Sequence, residues 1–289
     1  MRNHLKSSFV FLNIKFYKKG VFHMKKFIPL SIVLLVLIFG SIAIFNNNQQ
    51  EKTQKNAVEL NVSAAASMKD VLLEIKTSYE RANPNVKIVY NFGASGNLRN
   101  QIEQGAPADI FISAAVNHMN ELEKKDYIKK DFRKDLVENE LVLIKNKNSN
   151  IKASDFNIIT DSSVKKIAMG EPNVVPAGQY AYQICGNLKL WNEVKDKVVF
   201  GNNVRNVLAY VETENVDLGM VYKTDAFISD KVDIVAVAPA GSHEKILYPI
   251  AIINNPNVKK ESKDFYDYLG SDASKEIFRK YGFVIPGEV

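Results

Sequence analysis

The chain predicts an α/β fold with parallel strands, and three observations carry that prediction. Apolar residues switch repeatedly from the two-residue period of a strand to the three-to-four-residue period of a helix. The switch falls on runs of small residues, Ala64-Ala65-Ala66-Ser67 and Gly93-Ala94-Ser95-Gly96 among them. Strand and helix then alternate through almost all of residues 57–289, the pattern of a sheet with helices laid against it.

In chain order, Val58, Leu60 and Val62 alternate with Glu59, Asn61 and Ser63, which is strand period. Val71, Leu72, Ile75 and Tyr79 follow at helix spacing. Ser67 stands where the period changes and is expected to cap the helix, with Asp70 three residues on as a weak capping box. The alanines before it leave room for a group to approach the free N–H groups of the first turn, an arrangement suited to an anion. Val86 to Phe92 predicts a second strand, and Leu98 and Ile102 a second helix beyond Gly93-Ala94-Ser95-Gly96-Asn97. Ala108 to Ser113 is a short apolar strand, followed by a helix carrying Met119 and Leu122.

Glu140 to Lys145 reads as a strand crossing into a second lobe. Lys166 to Gly170 is the next strand, and Pro176 then sits well at a helix start, where no N–H partner is lost. Ala177 and Gly178 follow it and would expose backbone N–H groups, and Tyr180 to Leu190 continues as helix. Val198 to Phe200 leads to Asn203, an expected N-cap, and to a helix with Val207, Leu208 and Val211 on its apolar face. Asp217 to Tyr222, Val232 to Ala238 and Leu247 to Ile253 are further strands, the last returning to the first lobe. Two helices, 261–269 and 272–281, close on Gly282, and the body shows no sequence repeat. Ligands on such sheets bind at the carboxyl ends of the parallel strands, where Ser67 and Ser95 both fall.

Residues 1–56 differ in composition from the rest. Met24-Lys25-Lys26 precedes an apolar run from Phe27 to Phe45, long enough at 19 residues to span a bilayer. A basic flank and such a run, 24–45 in all, predict an export signal or a membrane anchor, with a polar tether from Asn46 to Asn56. Neither a small-residue cleavage site nor a lipoprotein cysteine follows, which favours a retained anchor, and Met24 begins a better signal than Met1. The whole chain has 38 Lys+Arg against 32 Asp+Glu, but residues 1–56 hold nine of the basic residues and a single acid, Glu51. The body is left with 29 against 31, so the basic balance belongs to the leader and does not argue for nucleic acid. Cys185 is the chain's one cysteine, expected as a small buried apolar residue. With only His118 and His243 beside it in the body, no His/Cys metal cluster can be built.

Taken together, the body resembles the periplasmic molybdate-binding proteins of ABC importers, the ModA family. The likeness runs from about Glu59 to Ile285. It rests on Ala64-Ala65-Ala66-Ser67; on Gly93-Ala94-Ser95-Gly96 with the stretch Gln101 to Ser113; and on Gly170-Glu171-Pro172 through Val175-Pro176-Ala177-Gly178. It continues in Asn203-Val204-Arg205, Gly219 to Ala226, Phe265 to Leu269 and Phe278 to Phe283. Single pieces are weak, but their order across one body is specific. Glu171 stands where the family usually has Asp, and the Ser95-Gly96 step is Ser-Ser in some members.

The resemblance implies a two-lobed periplasmic-binding-protein fold of type II, with a ligand cleft between the lobes and a hydrophobic helix before them. Lobe 1 would take about 57–138 plus 246–289, and lobe 2 about 139–245. By motif position the oxyanion contacts would be Ser67, Ser95, Ala177, Val204 and Tyr222. The serines would give hydroxyl and N–H, Ala177 and Val204 backbone N–H, and Tyr222 its phenol; Gly96 could add its own N–H. Arg205 would stand outside these contacts, paired with a carboxylate such as Glu212 or Asp225. The implied protein is not an enzyme and has no cofactor, and molybdenum enters only as molybdate, with tungstate as its close equivalent. Its partner would be an ABC importer permease, and it would be an exported, extracytoplasmic monomer, membrane-associated if the leader is kept. Two other classes are alternatives: an extracytoplasmic sensor, adhesin or binding protein for another tetrahedral oxyanion, and a serine hydrolase using Ser67 or Ser95 with His118 or His243. Neither serine lies in a Gly-x-Ser-x-Gly elbow.

Overall fold

Two five-stranded sheets, each in its own lobe, organise the described residues. The computed structural model describes residues 57–152 and 154–288. The expected signal or anchor, 24–45, and its hydrophobic helix lie outside them. Among the described residues no helix is long and apolar enough to cross a membrane.

The first sheet contains β1 (Val58–Ala65), β2 (Val86–Gly93), β3 (Ile110–Ile112), β4 (Ile128–Asn139) and β10 (Ile246–Ile253), in the order β2-β1-β3-β10-β4. The second contains β5 (Leu141–Asn146), β6 (Ile167–Gly170), β7 (Val198–Gly201), β8 (Leu218–Tyr222) and β9 (Val232–Val237), in the order β7-β6-β8-β5-β9. In each sheet a central strand, β1 or β6, pairs in parallel with both neighbours. The two remaining strands are antiparallel. The sequence carries no repeat, yet the two sheets are wired alike. The chain passes between them twice, through Glu140 and through residues 238–245.

The helices are α1 (Lys69–Ala82), α2 (Ser95–Glu103), α3 (Val116–Lys124), α4 (Pro176–Asn187), α5 (Trp191–Val194), α6 (Val204–Glu212), α7 (Lys223–Phe227), α8 (Lys260–Leu269) and α9 (Asp272–Lys280). Their apolar stripes cover the sheets. Leu98 and Ile102 of α2 and Met119 and Leu122 of α3 pack on Phe111 and Ala251, one face of the first sheet. On the other face Val71, Leu72 and Ile75 of α1 and Phe265 and Leu269 of α8 join the main core with Leu60, Ile88 and Ile250. Burial on both faces is what forces parallel strands to be apolar throughout.

One long element departs from the sequence expectation. β4 carries seven charged residues in its twelve, so its apolar signal is drowned and no strand was expected there. It lies at the sheet edge, paired with β10 and, at Glu138 alone, bridged to Val284, and its charge guards the rest of the edge against pairing with another chain. The register against β10 slips between Tyr248 and Pro249, which places a proline without an N–H at an irregularity rather than in a regular ladder.

Candidate oxyanion site

The carboxyl ends of the parallel strands of both sheets point at one small cavity. Ser67 follows β1, Ser95 follows β2 and Ala114 follows β3; Ala177 follows β6, Val204 follows β7, and Tyr222 ends β8. All six line the same cavity, together with Ala65, Ala66, Ala94, Val175, Pro176 and Asn203. The five residues expected from the sequence are thus brought together, and each is at least nine-tenths buried.

Local sequence explains how each is held. Pro176 opens α4 as its first residue, so the N–H groups of Ala177 and Gly178 are the first that the helix leaves without an internal partner. Gly178 lets that helix start sit on the end of β6: a Cβ there would stand 2.0 Å from the carbonyl oxygen of Gly170. Asn203 caps α6 through a side-chain oxygen that accepts from Asn206 N–H at 3.0 Å, and the first helical residue, Val204, lines the cavity with its N–H free of an intrahelical partner. Tyr222 is the last residue before α7. Burial first, then the proximity of Tyr248, Tyr180 and Asp225, holds its phenol well above the usual tyrosine range. It therefore stays protonated, and it donates to Ala114 O at 3.4 Å.

Ser67 departs from its expected role. It lies inside a short 3₁₀ turn, Ala66–Met68, and Met68 rather than Ser67 precedes α1, without a side-chain cap. Its Oγ instead shares a 3.0 Å hydrogen bond with Tyr248 Oη. Ser67 nevertheless lines the cavity. Asp70 is likewise no capping-box partner; it pairs with Arg205 at 2.7 Å. Ser95 Oγ accepts from Ala114 N–H at 3.0 Å, and Gly96 N–H donates to Val174 O at 2.9 Å across the two lobes.

Charge is kept off the cavity wall. Arg205 Nε stands 2.7 Å from Asp225 Oδ1, so its expected pairing with Asp225 is found and that with Glu212 is not. Asp225 is fully buried, and desolvation pushes its carboxyl up to about 6 against the pull of Arg205. The cavity is left with neutral donors: hydroxyls, a phenol and helix-start N–H groups. A buried anion can be held by such donors when each oxygen receives one, and helix starts add their dipoles. The cavity volume is about 10 Å³, room for roughly one water. A tetrahedral oxyanion is larger than that space.

Neither histidine stands as a base for these serines. His118 is buried with both ring nitrogens unpartnered. His243 Nδ1 lies 2.6 Å from Glu244 O. Ala114 and Tyr248 were missed as wall and support. Ala114-Ala115 after β3 repeats the small-residue signal of the other strand ends and could have been read; Tyr248 lies mid-strand, with no local mark.

Fold and site together define a two-lobed solute-binding protein, and the profile of the bacterial extracellular solute-binding protein family matches residues 60–284. A putative ABC transporter substrate-binding lipoprotein, YvgL of Bacillus subtilis, is 45% identical over 82% of this chain and 91% of its own length. The molybdate-binding protein ModA of Haemophilus influenzae is 41% identical over 78% of this chain and 90% of its own. The solved substrate-binding domain of a putative molybdenum ABC transporter from Clostridium difficile is 42% identical, covers 79% of this chain and 99% of its own, and superposes with a TM-score of 0.62. The chain belongs to the ModA family of ABC-transporter substrate-binding proteins.

Proposed function

We propose that this protein captures molybdate, or its near-isostere tungstate, outside the cytoplasm and delivers it to the permease of an ABC importer. The observation that carries the reading is the convergence of Ser67, Ser95, Ala177, Val204 and Tyr222, from five separate strand ends in two lobes, on one cavity with no free charge. Ser67 and Ser95 bind through hydroxyl and N–H, Ala177 and Val204 through N–H, and Tyr222 through its phenol. The two lobes, about 57–138 plus 246–289 and about 139–245, close on the anion, because only the closed form makes every contact. The protein acts as a monomer without a cofactor and does no chemistry on its ligand. The segment 24–45 keeps it at the outer face of the membrane.

A site whose acceptors are already engaged also sets what is refused. Phosphate near neutral pH often carries a proton, and its P–OH would have to compete with Tyr222 for Ala114 O or with Ala114 N–H for Ser95 Oγ, a buried mismatch costing about 1–3 kcal/mol. Sulfate is fully ionised but smaller, so some donors fall short of its oxygens. Competition calorimetry on residues 57–289 tests this: molybdate and tungstate should bind tightly and alike, sulfate weakly, phosphate hardly at all. Displacement of molybdate by phosphate or sulfate at comparable concentration would overturn the assignment.

A further inference from the structure

The guanidinium of Arg205 joins three groups that belong to two different lobes. Its Nε faces Asp225 Oδ1 at 2.7 Å within its own lobe. Its Nη2 reaches into the other lobe, 2.7 Å from Asp70 Oδ2 and donating to Ser67 O at 3.1 Å. Neither Arg205 nor Asp70 lines the cavity. The two backbone segments they tie together are nevertheless those of Ser67 and Val204, one wall residue from each lobe.

We propose that Arg205 and Asp70 form an interlobe latch that weights the closed form and so sets how long the oxyanion stays bound. The inference rests on the oxyanion reading of the cavity. Asp225 is the fixed side of the latch: buried at the first turn of α7, it holds the guanidinium extended in one lobe, open or closed. Asp70 is the releasable side, on α1 of the other lobe, its side chain 40% exposed although the Oδ2 that meets Arg205 is covered. When the lobes part, the Asp70 pair and the bond to Ser67 O break together, while the Asp225 pair travels with Arg205. Three features separate this from a general structural ion pair. It crosses the cleft, it grips the carbonyl of a cavity residue, and one of its partners can return to water. Its strength also has a stated sign with salt, since a pair with a 40% exposed partner is screened.

The variant Asp70→Asn tests it, because Asp70 is a half-exposed group outside the cavity and its loss leaves Arg205 paired with Asp225. Dissociation of sodium molybdate, followed by stopped-flow fluorescence, should be about fivefold faster in Asp70→Asn than in the wild type, the scale of a partly exposed ion pair. Raising salt should speed release from the wild type and leave the variant almost unchanged. Arg205→Lys, which keeps one charge but cannot face both lobes at once, should behave like Asp70→Asn. An Asp70→Asn protein with wild-type release rate and wild-type salt slope would overturn the latch. Should the wild type fail to bind molybdate, the oxyanion reading falls instead. Small-angle scattering of the ligand-free proteins then decides the latch separately: Asp70→Asn should be the more expanded at low salt, and equal radii would refute it.

Discussion

Replacing Gly96 by Ala should pry the two lobes apart without damaging either. Gly96 is the second residue of α2 in one lobe, and its N–H donates to Val174 O of the other at 2.9 Å. A Cβ built on it would lie 2.7 Å from Val174 Cα and 2.8 Å from Val174 O, with His118 Cε1 at 3.1 Å. Ordinary contact begins at 3.4 Å, so the seam must open by about 0.7 Å. Both close atoms of Val174 are backbone and cannot swing aside. A shift of that size stretches the 2.9 Å bond to about 3.6 Å, beyond a useful hydrogen bond. It also lengthens the contacts that the second lobe would make to an oxyanion held by the first. Losing the seam bond costs about 0.5–1.5 kcal/mol, and weakening one donor to a charged oxygen about as much again. Affinity for molybdate should therefore fall by about tenfold to a hundredfold. The melting temperature of the ligand-free protein should move little, because the two shortest contacts, both to Val174, exist only when the lobes meet, and the 3.1 Å contact with His118 in the same lobe asks that ring to give by only a few tenths of an ångström. Calorimetric titration and thermal unfolding of the same preparation read both quantities. A Gly96→Ala protein that binds molybdate as tightly as the wild type would refute the close-seam argument. One that melts far lower without ligand would show that the clash lies within a lobe.

Two further outcomes are expected. Ser67→Ala removes one hydroxyl from the cavity wall and should weaken molybdate binding by about tenfold or more, with Tyr248 Oη still held by Asn139 Nδ2 at 3.3 Å and the fold intact; an unchanged titration would remove Ser67 from the site. His118 is held neutral by burial, helped by the repulsion of Arg99 and opposed by Glu121, which brings it down to about 4. Its folded value is depressed, so the stability it confers is full above about pH 6.5 and is lost as pH falls toward 4. The wild type should thus lose melting temperature relative to His118→Leu between neutral pH and pH 4.5; parallel curves would mean that His118 ionises freely.

The sequence by itself determined the alternation of strand and helix and the helix starts at Pro176 and Asn203, while the five expected oxyanion positions came from the family resemblance laid over those elements. It could do so because strand and helix periods, a proline's missing N–H and an asparagine cap are local properties, written in a few neighbouring residues. Cys185 was legible for the same reason: a lone cysteine on an apolar helix face, and indeed buried, its thiol pushed up to about 11 by desolvation. Tertiary structure decided the rest. β4 reads as a charged loop until the sheet edge gives its apolar face a partner, since edge strands are selected against looking like strands. Ser67 reads as a helix cap, but Tyr248, 181 positions away, takes its hydroxyl instead. Asp70 and Arg205 meet only because the two lobes stand against each other. A pairing between distant groups carries no period and no composition, so only the assembled molecule can specify it.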